Sequence, residues 1–131
     1  MMDVMSELRK FGPMFKTGDF ELGLRDLADL WSKIPTPKTA TLNAYLVIEY
    51  GVAFALRGGL LDEAKRWALL APEFRENRHE SGEVEFLMGK VAFERGELDA
   101  AKKYFLVANE KSGGRMFDGE AKKYAELIEL R

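Results

Sequence analysis

Residues 89–108 read GKVAFERGELDAAKKYFLVA, and this stretch decides the fold of the chain. Gly96 separates two segments that both have helical character. The apolar residues of the second segment recur at helical spacing and form one stripe: Leu98, Ala101, Phe105 and Ala108. The charged residues lie largely off that stripe. The pattern predicts two antiparallel helices, at about 82–95 and 98–110, joined at Gly96.

Two weaker copies of the same pattern lie upstream. One copy places Gly59, Leu61, Ala64 and Ala71 at the positions of Gly96, Leu98, Ala101 and Ala108. The other copy places Gly18, Phe20, Gly23, Leu27 and Leu30 at the positions of Gly96, Leu98, Ala101, Phe105 and Ala108. In the copy at Gly59 the position of Phe105 holds Ala68, and we expect Trp67 to supply the missing bulk. Pro35 and Pro72 follow the upstream copies as helix stops.

This pattern resembles the tetratricopeptide repeat. In that family small residues let two antiparallel helices approach closely, and a large residue fills the gap between neighbouring hairpins. The resemblance covers about residues 4–115 and suggests a small stand-alone protein of the bacterial type. Related helical-hairpin repeats share these features. The resemblance implies an all-α fold, a right-handed stack of three hairpins at about 4–35, 40–72 and 82–111.

The C-terminal residues predict one more helix, at about 119–130. Its apolar face consists of Ala121, Tyr124, Ala125 and Ile128. A stack of hairpins needs such a helix to cover the exposed side of its last repeat, so we interpret it as a cap. A length of 131 residues indicates a single domain over residues 1–131. Near the other end, Gly12-Pro13 predicts a kink or a break in the first helix.

The apolar run at residues 44–56 is the strongest candidate for a strand. It contains β-branched residues, but it is too long for one strand and ends at Gly58-Gly59. We therefore expect a largely buried helix, with Thr39 or Thr41 as its N-cap. No other segment has a strand pattern, and the predicted fold is all-α.

Composition excludes several functions. The chain has 20 basic and 22 acidic residues and a formal net charge of -2, without the basic excess that nucleic-acid binding needs. It has no cysteine, so disulfides and thiolate chemistry are excluded. No segment approaches the roughly 20 apolar residues of a membrane span, and the start lacks a secretion signal. We expect no nucleic-acid or membrane partner and a cytoplasmic location.

The candidates for catalysis are few. His79, the single histidine, lies in a charged stretch that indicates a solvated loop. Glu83 and Glu85 point about 200 degrees apart on a helix, so they cannot act on one bond and are interpreted as hydrated side chains. The glycine-rich residues 111–115 lack the strand-loop-helix context of a phosphate site and predict a helix C-terminus. We predict no enzyme activity, no metal and no cofactor.

The resemblance also implies a binding groove, lined by the first helix of each hairpin. The groove positions that it implies are Leu8, Phe15 and Lys16 in the first hairpin, Leu46, Glu49, Ala53, Leu56 and Arg57 in the second, and Glu83, Phe86, Lys90, Phe93 and Glu94 in the third. Three glutamates in this set would repel an acidic chain terminus. We therefore expect the groove to bind an apolar partner segment with some basic character.

Three functions remain open at this point. The first is a protein-protein interaction module that binds a partner segment as an adaptor or assembly factor. The second is a dedicated chaperone or immunity protein that neutralises one partner, such as a secreted toxin. The third, ranked far behind, is an enzyme of undetected type. The oligomeric state stays open, because the first hairpin has an apolar edge that could support self-association.

Overall fold

A computed structural model describes residues 2–74, 81–120 and 122–129, and these ranges are helical without a strand. The all-α prediction is therefore confirmed at this level, whereas a right-handed stack of repeats stays a prediction. The chain divides into two compact units, Met1–Ala71 and Pro72–Arg131. The single-domain organisation also stays a prediction. Three residues covered by the sequence-based predictions lie outside the described residues: His79, Ala121 and Leu130.

The first unit contains five α-helices. They are α1 (Val4–Leu8), α2 (Phe11–Thr17), α3 (Phe20–Lys33), α4 (Ala44–Arg57) and α5 (Leu61–Ala68). A short 3-10 turn, Lys38–Ala40, lies between α3 and α4. Helix α4 packs against α3 and α5, while α2 packs against α3 and α1 touches α4. Helix α4 is therefore the central helix of this unit.

Among its described residues, the second unit contains three α-helices. They are α6 (Glu83–Glu94), α7 (Leu98–Ser112) and α8 (Lys122–Ile128). Helices α6 and α7 form a closely packed hairpin, and α8 packs on α7. A 3-10 turn, Arg115–Phe117, precedes α8. The predicted C-terminal helix is present and packs on the last hairpin, with described bounds of 122–128.

Three glycines reverse the chain, as the sequence predicts. Gly18, Gly59 and Gly96 have positive φ angles of 83°, 71° and 81°, which glycine adopts without steric cost. The same hydrogen bond closes each helix: the N–H of Asp19, Leu60 and Glu97 donates to the carbonyl of Met14, Ala55 and Ala92, at 3.0, 2.8 and 2.9 Å. This bond, five residues back, belongs to the Schellman C-cap. The three copies of the pattern therefore share one local geometry.

A second set of glycines lies inside the helices, beneath aromatic rings. A side chain at Gly23, Gly51 or Gly89 would overlap the ring of Phe54, Trp67 or Phe105, respectively. Each glycine lets the backbone of one helix contact a ring from the neighbouring helix. Trp67 covers Gly51 as Phe105 covers Gly89, so the expectation that Trp67 supplies the missing bulk is confirmed.

The N-terminal break lies earlier than the sequence pattern suggests. Helix α1 ends at Leu8 and α2 begins at Phe11, so Pro13 lies in the first turn of α2. Proline costs no hydrogen bond at that position, because the N–H groups in the first turn of a helix have no preceding helical carbonyl to bond. Pro13 starts a helix here and does not interrupt one.

The ends of α3 and α4 give one confirmation and one correction. Helix α3 ends at Lys33 and Ile34 is extended, as expected before Pro35. The Lys38 ammonium then donates to the carbonyls of Trp31 and Ile34 at 2.7 and 2.6 Å. The predicted threonine cap of α4 is wrong. Asn43 occupies the N-cap position with φ 66° and makes no side-chain cap bond.

Candidate binding cleft

An apolar cleft of about 320 Å³ lies between α2 and α4 in the first unit. It is lined by Phe11, Gly12, Phe15, Lys16, Tyr50, Ala53 and Phe54. Helical spacing explains this lining, because residues three or four apart share a helix face. Ala53 is the smallest side chain that α4 contributes. Its short side chain leaves the space that the aromatic residues around it enclose.

The walls of the cleft are aromatic rings that support one another. Phe54 contacts Phe11 and Phe15, with ring centroids 6.1 and 5.3 Å apart. Phe20 packs behind both Phe15 and Phe54, at 5.7 and 6.1 Å. Such edge-on and tilted pairs are favourable ring arrangements, and they fix the rings before any ligand arrives. The cleft is therefore preformed.

Three basic residues lie beside this cleft. The Lys10 ammonium lies 5.3 Å from the centroid of the Phe11 ring, and the Arg57 guanidinium lies 5.7 Å from that of Phe15. Lys16 is exposed and is part of the lining. Among the described residues, no carboxylate lies within ion-pair distance of these three cations. They are available to a charged ligand.

The structure brings together part of the predicted groove in this unit. Phe15, Lys16 and Ala53 line the cleft, and Arg57 stands at its margin. Three other α4 positions are half-buried and do not line it: Leu46, Glu49 and Leu56. Leu8 needs correction, because it is buried in the core and is not exposed to a partner.

Sequence reasoning missed three of the aromatic lining residues, Phe11, Tyr50 and Phe54. Helical spacing held a signal for each of them. Phe11 precedes Phe15 by four residues, and Tyr50 and Phe54 lie three before and one after Ala53. The groove positions implied by the resemblance are fixed offsets from the glycines, and these three residues do not lie at those offsets.

In the second unit, α8 and the turn before it cover the predicted groove residues. Phe86 is buried, and its ring centroid lies 5.0 Å from that of Phe117 and 6.2 Å from that of Tyr124. Phe93 is partly buried and contacts the same Tyr124 ring at 5.3 Å. The placement of Phe86 in an open groove is therefore corrected: it belongs to the core of the second unit.

The charged groove residues of this unit are also engaged by the chain itself. Glu94 accepts a hydrogen bond from the Tyr124 hydroxyl at 2.8 Å, and the Lys123 ammonium lies 2.7 Å from it. Lys90 lies 3.8 Å from a carboxylate oxygen of Glu120. Glu83 is half-buried at the start of α6. The second unit therefore satisfies most of these charges internally.

These contacts shift two pKa values in opposite senses. Partial burial would raise the pKa of Glu94, but hydrogen bonds from Lys123 and Tyr124 outweigh it, so the pKa lies below its usual value of 4.5. Burial raises the pKa of the Tyr124 hydroxyl well above its usual value, and the bond to Glu94 raises it further. The pair is thus a tyrosine that stays protonated, bound to an ionised carboxylate.

Two further features of the second unit are the buried Glu85 and the glycine-rich loop after α7. Glu85 is buried and its carboxylate lies 3.3 Å from the Lys111 ammonium, so the expectation of a hydrated side chain is wrong for Glu85. Gly113 and Gly114 have φ angles of 64° and 88° after α7, which confirms a helix C-terminus at this glycine-rich loop. Neither feature forms a catalytic arrangement.

No family model, curated protein or solved structure matches this chain. Over the described residues, no group of three or more histidine, aspartate or glutamate side chains is placed to hold a metal ion. None of the helices in those residues has both the length and the apolar character needed to cross a bilayer. The groove across three hairpins stays a prediction, and the α2–α4 cleft is the candidate site.

Proposed function

We propose that this chain is a non-catalytic protein-binding module that holds a partner segment in the α2–α4 cleft. The observation that carries the proposal is that the apolar cleft lined by Phe11, Phe15, Tyr50 and Phe54 is open, whereas the aromatic cluster around Phe86 in the second unit is packed against helix α8. Exposed apolar surface of this kind is characteristic of interaction sites. Ala53 is an exposed residue of the lining, so a substitution there tests the cleft without disturbing the core.

Preorganisation favours binding at this position. The Phe54 ring already contacts those of Phe11 and Phe15, so a partner does not have to order them. Ordering side chains at an interface costs about 0.5 to 1.5 kcal/mol for each flexible residue. A cleft with fixed walls avoids most of that cost. An apolar side chain of a partner segment would fill the space above Ala53.

The test compares two substitutions of the same kind on different faces of the first unit. Ala53→Gln fills the cleft with a neutral, helix-compatible side chain. Ala28→Gln makes the same change at an exposed position of α3 that lines a separate cleft beside Trp67, so it also tests that cleft as an alternative site. Each tagged protein is recovered from its native cells, and bound proteins are quantified by mass spectrometry. We expect Ala53→Gln to lose partners that Ala28→Gln retains.

The recovered set also separates the adaptor role from the dedicated one. A single stoichiometric partner indicates a chaperone or immunity protein, and several weaker partners indicate an adaptor or assembly factor. Equal recovery by both variants would refute the cleft as the binding site. Circular dichroism and urea unfolding of both variants establish that each one is folded.

A further inference from the structure

We infer that the segment bound in the α2–α4 cleft is an acidic amphipathic helix, which inserts an apolar side chain and directs carboxylates at Lys16 and Arg57. This inference rests on the proposed function and specifies its ligand. It reverses the charge that the sequence suggests for the partner. The reason is the position of the charges around the cleft.

Two of the three basic groups beside the cleft, Lys16 and Arg57, lie at its Phe15 end. Arg57 lies over the Phe15 ring, and Lys16 is the next residue in α2. Glu49 lies one turn from Ala53 in the direction away from Arg57. The Phe15 end of the cleft therefore presents two exposed cations. A carboxylate arriving there gains both attractions without displacing an existing ion pair.

Two of the three glutamates that suggested a basic partner act elsewhere. Glu94 is satisfied by Lys123 and Tyr124, and both it and Glu83 belong to the second unit. Neither is part of the lining of the α2–α4 cleft. The third glutamate, Glu49, is half-buried on α4 and is also outside the lining. Lys16 is the charged residue of the lining, and Lys10 and Arg57 lie over its Phe11 and Phe15 rings.

In the second unit, an amphipathic helix of the chain itself covers a set of aromatic rings. Helix α8 inserts Tyr124 among the rings of Phe86, Phe93 and Phe105. Its flanking charges oppose those of the hairpin, because Lys123 meets Glu94 and Glu120 meets Lys90. A short amphipathic helix with an apolar anchor and complementary charges thus packs on aromatic rings within the second unit. In the first unit the groups beside the cleft are cations, so a segment with complementary charge carries acidic residues beside its apolar anchor.

The test selects ligands from a displayed library of random sixteen-residue peptides, using the full-length protein as bait. Binding of the enriched peptides is then measured to the wild type and to three variants. The first, Lys16→Glu with Arg57→Glu, reverses the charge of the cleft. The second, Lys102→Glu with Lys103→Glu, makes the same change on the exposed face of α7 and is the matched control. The third is Ala53→Gln.

We expect enriched peptides that carry glutamate or aspartate beside apolar residues at helical spacing. Their affinity should fall at least about tenfold in the cleft charge variant and less than about twofold in the α7 control. Lys16→Glu alone, at an exposed position, should give part of the loss if the double variant is unstable. Raising the salt concentration should weaken binding to the wild type.

Two other outcomes overturn the inference in distinguishable ways. Enriched peptides without acidic residues that are lost in Ala53→Gln would refute the acidic ligand and retain the cleft. Peptides that bind Ala53→Gln as tightly as the wild type, or no enrichment at all, would refute both the ligand and the proposed function.

Discussion

At the scale of single residues, glycine acts in two different ways in this chain. Gly18, Gly59 and Gly96 supply positive φ angles at the reversals, where little else is in contact. Gly51 and Gly89 instead lie under aromatic rings inside helices, where a side chain has no room. Substitution in the first group is therefore costly because of backbone strain, and in the second because of steric overlap. Different substitutions distinguish these two costs.

Gly89→Ala should destabilise the chain by about 1 to 3 kcal/mol, because the added methyl group overlaps the Phe105 ring and the cost exceeds the helical preference for alanine. Urea unfolding measures the change. In the background Phe105→Leu the same substitution should cost less, since the smaller side chain leaves room. Equal costs in the two backgrounds would show that the ring is not the obstacle.

Gly96→Ala should also destabilise the chain, by about 1 to 2 kcal/mol, although no atom lies near the added methyl group. The cost arises from φ 81° alone. Gly96→Asn should cost less than Gly96→Ala, because asparagine tolerates the left-handed conformation better. The free energies of unfolding, compared in one denaturant series, give the order. Equal losses of unfolding free energy for Gly96→Ala and Gly96→Asn would contradict the explanation by backbone strain.

At the scale of elements, helix α8 is held by Tyr124, with Leu127 and Ile128 packed against the same core cluster, and by a small network of charges. Tyr124 supplies the anchor, with its ring against Phe93 and its hydroxyl bonded to Glu94. The amphipathic pattern of residues 119–130 predicts a cap, and the structure has a helix there that packs on the last hairpin. The same pattern does not reveal that the cap covers Phe86, because the docking position depends on tertiary contacts.

Ionised Glu94 should stabilise the attachment of α8 at neutral pH. Its pKa is lower in the folded chain than the usual 4.5, so this stabilisation is present above 4.5 and is lost as the pH falls through the lowered pKa. Glu94→Gln should therefore lower the urea midpoint at neutral pH. The difference from wild type should shrink on acidification.

Glu126→Gln provides the control for this experiment, since Glu126 is an exposed residue of α8 without an ion pair among the described residues. It should change the urea midpoint little at any pH. A difference between Glu94→Gln and the wild type that stays constant with pH would mean that the charge of Glu94 does not hold the helix.

At the scale of the whole chain, local features were predictable and tertiary ones were not. The reversals follow from the backbone freedom of glycine, which a sequence reveals directly. Tyr50 and Phe54 line the cleft but were not predicted to do so, because the packing of α2 on its neighbours decides which face of α4 stays open. The pairing of Glu94 with Lys123 likewise requires two distant elements to meet, and it changed the expected charge of the ligand.

The central claim is that a partner segment occupies the cleft above Ala53. The most direct test places a photo-activated benzophenone amino acid at position 53 and, as a control, at position 28, in the protein expressed in its native cells. We predict a light-dependent covalent adduct with a partner protein from position 53 that is absent from position 28. Adducts of equal yield from both positions, or none from position 53, would contradict the claim.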